Sequence, residues 1–172
     1  MATQRKIPAN TLRPSVLLLA IFFSGCDNVT VEEVNISQNL DFALFSTQIN
    51  PIFDQNINGK TCTAVGCHNV NGGSGGALRL NPGLIPSTTV DCSAQMIANF
   101  ISTSTFVNKN DPEGSKLIQE PLDGSSALTG THSGGDLFSI STAPADPYTK
   151  IINWIRSPVA VGADLSTLCP GS

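Results

Sequence analysis

The sequence is poor in basic residues and contains no basic cluster. Nine Lys and Arg stand against 13 Asp and Glu, which gives a formal net charge of −4. Proteins that bind nucleic acids present basic patches to the phosphates, so we do not expect DNA or RNA as a partner. An acidic surface instead favours protein partners with a positively charged docking face, which long-range attraction would orient.

The chain also lacks an apolar run long enough to cross a bilayer. Its most apolar run, residues 16–23, lies between basic residues and small ones, a pattern that predicts a signal peptide over residues 1–25. The following Phe-Ser-Gly-Cys resembles the lipobox of bacterial lipoproteins, which implies that Cys26 is lipidated and that residues 26–40 are a lipid anchor and tether. We therefore expect an exported protein that contacts a bacterial membrane through its lipid alone. Cleavage by ordinary signal peptidase, which would leave Cys26 as a free thiol, is the alternative.

Sequence patterns of common enzymes are missing as well. GxSxG, HExxH and GxxxxGK[ST] do not occur, so the sequence gives little support to hydrolase or nucleotide-dependent chemistry. The glycine-rich segment 69–89 is accordingly not interpreted as a phosphate-binding loop. We expect it to be irregular, with glycines that let the backbone pass close to a flat, bulky group.

Helical patterns predict a mainly α domain over residues 41–172. Asp41 suits the N-cap of a first helix, after which we expect a turn at Asn50-Pro51, with Pro51 starting a further turn of helix. A second helix is predicted from Asp91 to Ser104, and the clearest one starts at Asp146-Pro147. No strand pattern of similar strength appears. Small domains with such long loops usually have a core filled by a cofactor or held by disulfides.

Residues 62–68, CTAVGCH, place a histidine directly after the second of two cysteines. C-x-x-C-H is the attachment signature of c-type haem, in which both thiols form thioethers with the porphyrin and the histidine faces the iron. Here four residues separate Cys62 from Cys67, and Gly66 can relax the resulting bulge. The wider spacing is therefore compatible with covalent attachment.

The order of features along residues 41–157 resembles the single-haem c-type cytochrome domains of exported bacterial proteins, including planctomycete-type cytochrome c modules. These features are FSTQINPIFDQN, CTAVGCHN, ALRL, DPEGSKLIQEPL, HSGG and INWI. The resemblance implies a cytochrome c-like helical domain whose long loops wrap around one covalently bound haem c. It also implies that Cys62 and Cys67 form the thioether links and that His68 is the proximal axial ligand.

His132 and Met96 are the two candidates for the sixth ligand of the iron. In cytochromes of this shape the distal ligand comes from a loop shortly before the closing helix, which favours His132 over a solvated loop histidine. Met96 fits better as a residue of a helix core. Two histidine ligands would give a lower reduction potential than histidine with methionine. We also expect an apolar wall around the haem from Phe45, Ile52, Phe53 and Trp154.

The remaining cysteines, Cys92 and Cys169, are expected to form a disulfide, since unpaired thiols outside the cytosol tend to oxidise. One lipid anchor, two thioethers and one disulfide then use all five cysteines.

These expectations combine into a periplasmic or surface electron carrier that passes single electrons between redox partner proteins. A six-coordinate haem has no open position for a substrate, so an enzyme is expected only if the sixth position is open.

Two alternatives remain. Cys62, Cys67, His68 and His132 have the number and type of ligands for zinc. The other alternative, and the stronger, is a Cys62–Cys67 disulfide in a non-haem lipoprotein that acts as a binding module.

Overall fold

Short helices and long loops make up the part of the chain that the computed structural model describes, residues 40–122, 132 and 134–171. In these residues regular structure consists of α-helices, a π-helical segment and isolated β-bridges. The helical elements are α1 (Phe42–Leu44), the π-helical segment (Phe45–Ile49), α2 (Asn50–Asp54), α3 (Ala94–Ser104), α4 (Lys116–Gln119), α5 (Pro147–Arg156) and α6 (Leu165–Leu168). With 34% of the described residues in helices, loops dominate this part of the chain, and the mainly α, cytochrome c-like class stays a prediction.

The predicted leader, the predicted lipidation site Cys26 and most of the predicted tether lie outside the described residues. Leu40, the last residue assigned to the tether, is only 1% exposed and belongs to the hydrophobic core. None of the helices in the described ranges has the length and apolar character needed to cross a membrane.

The first three helical elements follow one another without a break. The Asp41 carboxylate accepts a hydrogen bond from the backbone N–H of Leu44 (2.8 Å) and caps the run. The predicted helix start at Pro51 is confirmed, since Pro51 lies in the first turn of α2, but the turn expected before it is wrong because the helical run continues through Asn50. Pro51 has no N–H, and the π-helical segment just before it, in which Asn50 N–H donates to the Phe45 carbonyl, accommodates that loss.

Helix α3 begins later than predicted. Ser93, not Asp91, is its N-cap, and Ser93 Oγ accepts from the N–H of Met96 (3.2 Å). Asp91 lies two residues before this N-cap, and its carboxylate accepts a hydrogen bond from the Ser93 N–H (2.8 Å). Cys92 therefore precedes the helix, where it forms a disulfide with Cys169 across a Cα–Cα distance of 5.6 Å. This bond fixes the C-terminal segment to the start of α3.

Aromatic side chains form the centre of the core. Phe100 packs edge-on against both Phe42 and Phe45, with ring centres 5.1 Å apart in each pair. Trp154 of α5 lies 5.5 Å from the Phe45 ring and donates its indole N–H to the Asp41 carbonyl (2.9 Å). This cluster fixes the first helical run between α3 and α5, so the segment that follows α2 starts from a rigid base.

Candidate functional site

The cysteine-histidine segment follows directly on α2 and is fixed to its end. Thr63 donates its backbone N–H to the Phe53 carbonyl (3.2 Å), and its hydroxyl bonds to the Asp54 carboxylate. Within the segment, His68 N–H donates to the Cys62 carbonyl (3.0 Å), which closes the loop and brings the histidine back beside the first cysteine. Gly66 lies inside this loop with φ +91°, a left-handed conformation that favours glycine.

Both cysteines of the segment are free thiols, and both border a cavity of about 510 Å³. Burial raises the pKa of the Cys62 thiol to about 11, and the neighbouring Cys67 and Asp54 act in the same direction. Cys62 is therefore protonated at neutral pH and is a weak nucleophile until something activates it. The cavity lies within the size range of about 300–1,000 Å³ that is usual for cofactor sites.

His68 is held by backbone groups from the loop that follows it. Its Nδ1 atom lies 3.1 Å from the Leu78 carbonyl, and its own carbonyl accepts from Leu80 N–H (2.8 Å). Burial lowers the pKa of the half-buried imidazole below its usual range, with the nearby His132 and Arg79 acting the same way. A neutral ring with Nδ1–H donating to a carbonyl leaves Nε2 as the free lone pair, the state that a metal needs.

The glycine-rich segment passes very close to this imidazole. A Cβ added at Gly75 would lie 2.7 Å from His68 Nδ1 and 2.7 Å from the Cys67 carbonyl oxygen. Glycine is therefore required at this position by the histidine itself and by the backbone around it. At Gly75 the close neighbour is the His68 imidazole, and a flat, bulky group beside these glycines stays a prediction.

His132 lies on the other side of the cavity and has the same kind of backbone support. Its Nδ1 is 3.0 Å from the Gly135 carbonyl, and Gly135 N–H donates back to the His132 carbonyl (2.7 Å). Further along, Leu137 and Phe138 both donate backbone N–H groups to the Pro121 carbonyl (2.8 and 2.9 Å). A small loop thus presents the histidine towards the cavity from the segment next to α4.

The two imidazoles are separated as two ligands of one metal atom would be. Their ring centres are 6.1 Å apart and their planes differ by 13°. With a metal–nitrogen bond of about 2 Å, two imidazole rings in line across one metal would place their centres roughly 6.4 Å apart. Each Nδ1 atom lies within hydrogen-bond distance of a backbone carbonyl, that of Leu78 for His68 and that of Gly135 for His132. The distance between the ring centres is therefore compatible with two nitrogen ligands of one metal.

The cavity wall is more apolar than polar, but its residues differ from those expected. Of the four residues predicted to form the wall, only Phe53 borders the cavity. Phe45, Ile52 and Trp154 pack in the hydrophobic core instead. The apolar lining comes instead from later in the chain: Leu78, Phe106, Leu117, Leu137 and Phe138. The sequence shows only that these residues are hydrophobic. Their position at the cavity depends on contacts between segments far apart in the chain, which the sequence pattern does not reveal.

Met96, the alternative distal ligand, does not border the cavity. Its side chain is 2% exposed and belongs to the hydrophobic core on α3. The structure therefore brings His132, and not Met96, opposite His68. Three further charged residues that the sequence did not single out also line the cavity: Lys60, Lys116 and Glu120.

The described part of the chain contains no cluster of side chains that matches the zinc site considered from the sequence. Across residues 40–122, 132 and 134–171, no group of three or more His, Cys, Asp or Glu side chains is placed to hold a metal ion together. Both histidines and both free cysteines of the proposed zinc set lie within those ranges. The arrangement that is present is a pair of opposed imidazoles with two thiols at the cavity wall.

Comparison of the chain with models of known protein families found no match, and comparisons with curated proteins and with solved structures found none either. What this site does is therefore inferred from its own residues.

Proposed function

We propose that the protein is an electron-transfer protein that carries one covalently attached c-type haem in the cavity between His68 and His132. The observation that carries this proposal is the opposed imidazole pair, 6.1 Å apart, with each Nδ1 held by a backbone carbonyl. A pair of this kind beside two free thiols matches what covalent haem attachment requires, namely two thioether links and two axial nitrogens.

In this assignment Cys62 and Cys67 form the thioether links, His68 is the proximal ligand and His132 the distal one. When bound, such a haem supplies a one-electron couple between ferric and ferrous iron. The carbonyls of Leu78 and Gly135 hold the two rings in the tautomer that leaves Nε2 unprotonated. The burial that lowers the pKa of His68 keeps that ring neutral and ready to coordinate.

The apolar lining sets the environment of the site. Leu117, Leu137 and Phe138 are all buried and form part of the cavity wall. Side chains of this kind exclude water and lower the local dielectric, which tunes the potential of a metal centre. Two neutral nitrogen ligands place that potential below the potential of a site with histidine and methionine.

A haem with both axial positions filled leaves no place for a substrate, so the proposed role is electron transfer and not catalysis. The proposal also includes export and attachment to a bacterial membrane through Cys26, as the leader pattern indicates. Removal of the predicted leader takes away three basic residues and no acidic ones, so the exported chain would have a formal charge of −7, which favours redox partners with a positively charged docking face.

The decisive test is the intact mass of the exported protein under denaturing conditions, after expression with haem-attachment machinery. One haem retained through denaturation, with a low-spin absorption spectrum, is the expected result. A double variant, Cys62→Ser with Cys67→Ser, is the matched control and should give the polypeptide mass alone. If the wild type also has no haem and lacks two hydrogens for a Cys62–Cys67 bond, the proposal fails and the disulfide-stapled binding module takes its place.

A further inference from the structure

We propose that Lys60 is a positioning residue that holds the His132 loop against the cavity and so controls how easily an external ligand displaces His132. This inference rests on the proposed function. The Lys60 ammonium donates a hydrogen bond to the Gly134 carbonyl (2.5 Å), which joins segments 74 residues apart. Lys60, Gly134 and His132 all border the same cavity.

Lys60 has a fixed backbone from which to reach the loop. Ile57 and Lys60 form an antiparallel bridge, with Ile57 N–H donating to the Lys60 carbonyl (2.8 Å) and Lys60 N–H donating to the Ile57 carbonyl (3.1 Å). Asn58 and Gly59 turn the chain between them with positive φ values of 54° and 82°. This tight turn places Lys60 two residues before Cys62, so its side chain links the attachment segment to the distal loop.

The distal loop fits closely around the lysine. A Cβ added at Gly135, which has φ +77°, would lie 2.6 Å from Lys60 Nζ. The glycine therefore lets the loop backbone approach the ammonium. The Lys60 bond to the Gly134 carbonyl thus connects this loop to a segment 74 residues earlier in the chain. Further along, Leu137 and Phe138 donate their backbone N–H groups to the Pro121 carbonyl.

The consequence is a shift in the equilibrium between bound and released His132. An external ligand can occupy the iron only in the fraction of molecules in which His132 is released, so its apparent Kd equals its intrinsic Kd divided by that fraction. A hydrogen bond from a charged donor at an exposed position is worth enough to change such a fraction by about three- to tenfold. Loss of the Lys60 bond should tighten external ligand binding by that factor.

The test compares Lys60→Met with Lys116→Met in the haem-loaded protein. Both lysines are exposed and line the cavity, so the two variants lose the same charge, but only Lys60 bonds to the His132 loop. Each ferric protein is titrated with imidazole, a mostly neutral ligand near pH 8, and followed by its absorption spectrum. We expect the Kd of Lys60→Met to fall about three- to tenfold, and Lys116→Met and Lys60→Arg to stay near the wild type. Equal Kd values in all four proteins, or equal shifts in both Met variants, would overturn the inference.

A second measurement needs no haem. Amide hydrogen exchange at Gly135, whose N–H donates to the His132 carbonyl, is compared in the same proteins without cofactor. Faster exchange in Lys60→Met alone supports the restraint, and unchanged exchange contradicts it. A wild type that never acquires haem would overturn the proposed function instead, and the exchange comparison would still decide whether Lys60 holds the loop.

Discussion

The two histidines that face each other across the cavity have similar local support but very different surroundings. His68 follows a segment fixed to α2, and its loop returns through Leu80 and Asn81 onto the buried core. His132 belongs to a loop that the exposed Lys60 side chain joins to the segment before Cys62 through the Gly134 carbonyl. We call the His68 side proximal and the His132 side distal, as in the proposed haem assignment, and infer that the distal ligand is the easier one to displace.

The anchoring of the proximal side depends on a buried amide network. Asn99 on α3 is fully buried, donates to the Asn50 side chain (2.8 Å) and to the Asn81 carbonyl (3.0 Å), and accepts from Asn81 N–H (2.6 Å). Asn81 directly follows Leu80, which bonds to the His68 carbonyl. The backbone of His68 is thus connected through Leu80 and Asn81 to the buried amide network.

The largest expected effect comes from removing each histidine in turn. Loss of a residue that only supports a metal ligand typically lowers metal affinity or activity about 10–100-fold. His68→Ala removes a proposed ligand itself, so we expect the yield of haem-loaded protein to fall by more than that. His132→Ala should keep the haem and change its spectrum from low-spin to high-spin, because covalent links and His68 remain. Absorption spectra and intact masses of both variants provide the measurement. An unchanged low-spin spectrum in His132→Ala would exclude His132 as the ligand.

The next largest effect should come from Asn99→Leu, which replaces the buried amide by an apolar group of similar size. The buried Asn50 oxygen and the Asn81 N–H lose their partner, and unsatisfied groups of this kind cost about 1–3 kcal/mol each. We expect the free energy of unfolding to fall by about 2–4 kcal/mol in urea titrations. Asn110→Leu, at an exposed position, is the control and should stay within about 0.5 kcal/mol of the wild type. Similar losses in both variants would show that the network does not anchor this side.

Local signals could be predicted from the sequence because they depend on neighbouring residues. Asp41 and Asp146 cap helices where the pattern predicts. The start of α3 was missed because Asp91 and Ser93 are both good caps, and only the fold selects Ser93. The continuous helix through Pro51 was missed because a proline predicts a break unless a π-helical segment precedes it.

The residues of the site also fall into those that the sequence could predict and those that only the fold brings together. The motif itself identified Cys62, Cys67 and His68, and the position of His132 before the closing helix made it the better distal candidate. The apolar lining and the Lys60 bond could not be predicted, since both depend on contacts between segments far apart in the sequence. The predicted wall failed for a physical reason: a small domain needs its largest aromatic residues for its own core.

The smallest expected effects come from single methyl groups on the two sides. Gly75→Ala would place a Cβ 2.7 Å from both His68 Nδ1 and the Cys67 carbonyl oxygen. Because a backbone oxygen cannot move aside cheaply, we expect a loss of about 1–3 kcal/mol in unfolding free energy and a shifted low-spin spectrum. The matched control is Gly72→Ala, whose Cβ would make only an ordinary 3.9 Å contact with Val65, and which should change neither quantity.

The distal counterpart of that experiment is Gly134→Ala. Its Cβ would lie 2.7 Å from His132 Cε1, a contact as close as the one at Gly75. The neighbouring atom here belongs to a side chain on a lightly held loop, so the loop can shift and the unfolding free energy should change by less than in Gly75→Ala. The shift should appear instead as tighter binding of external imidazole, measured by spectral titration. If Gly134→Ala destabilised the fold as much as Gly75→Ala, the two sides would be equally rigid and the contrast between them would be wrong.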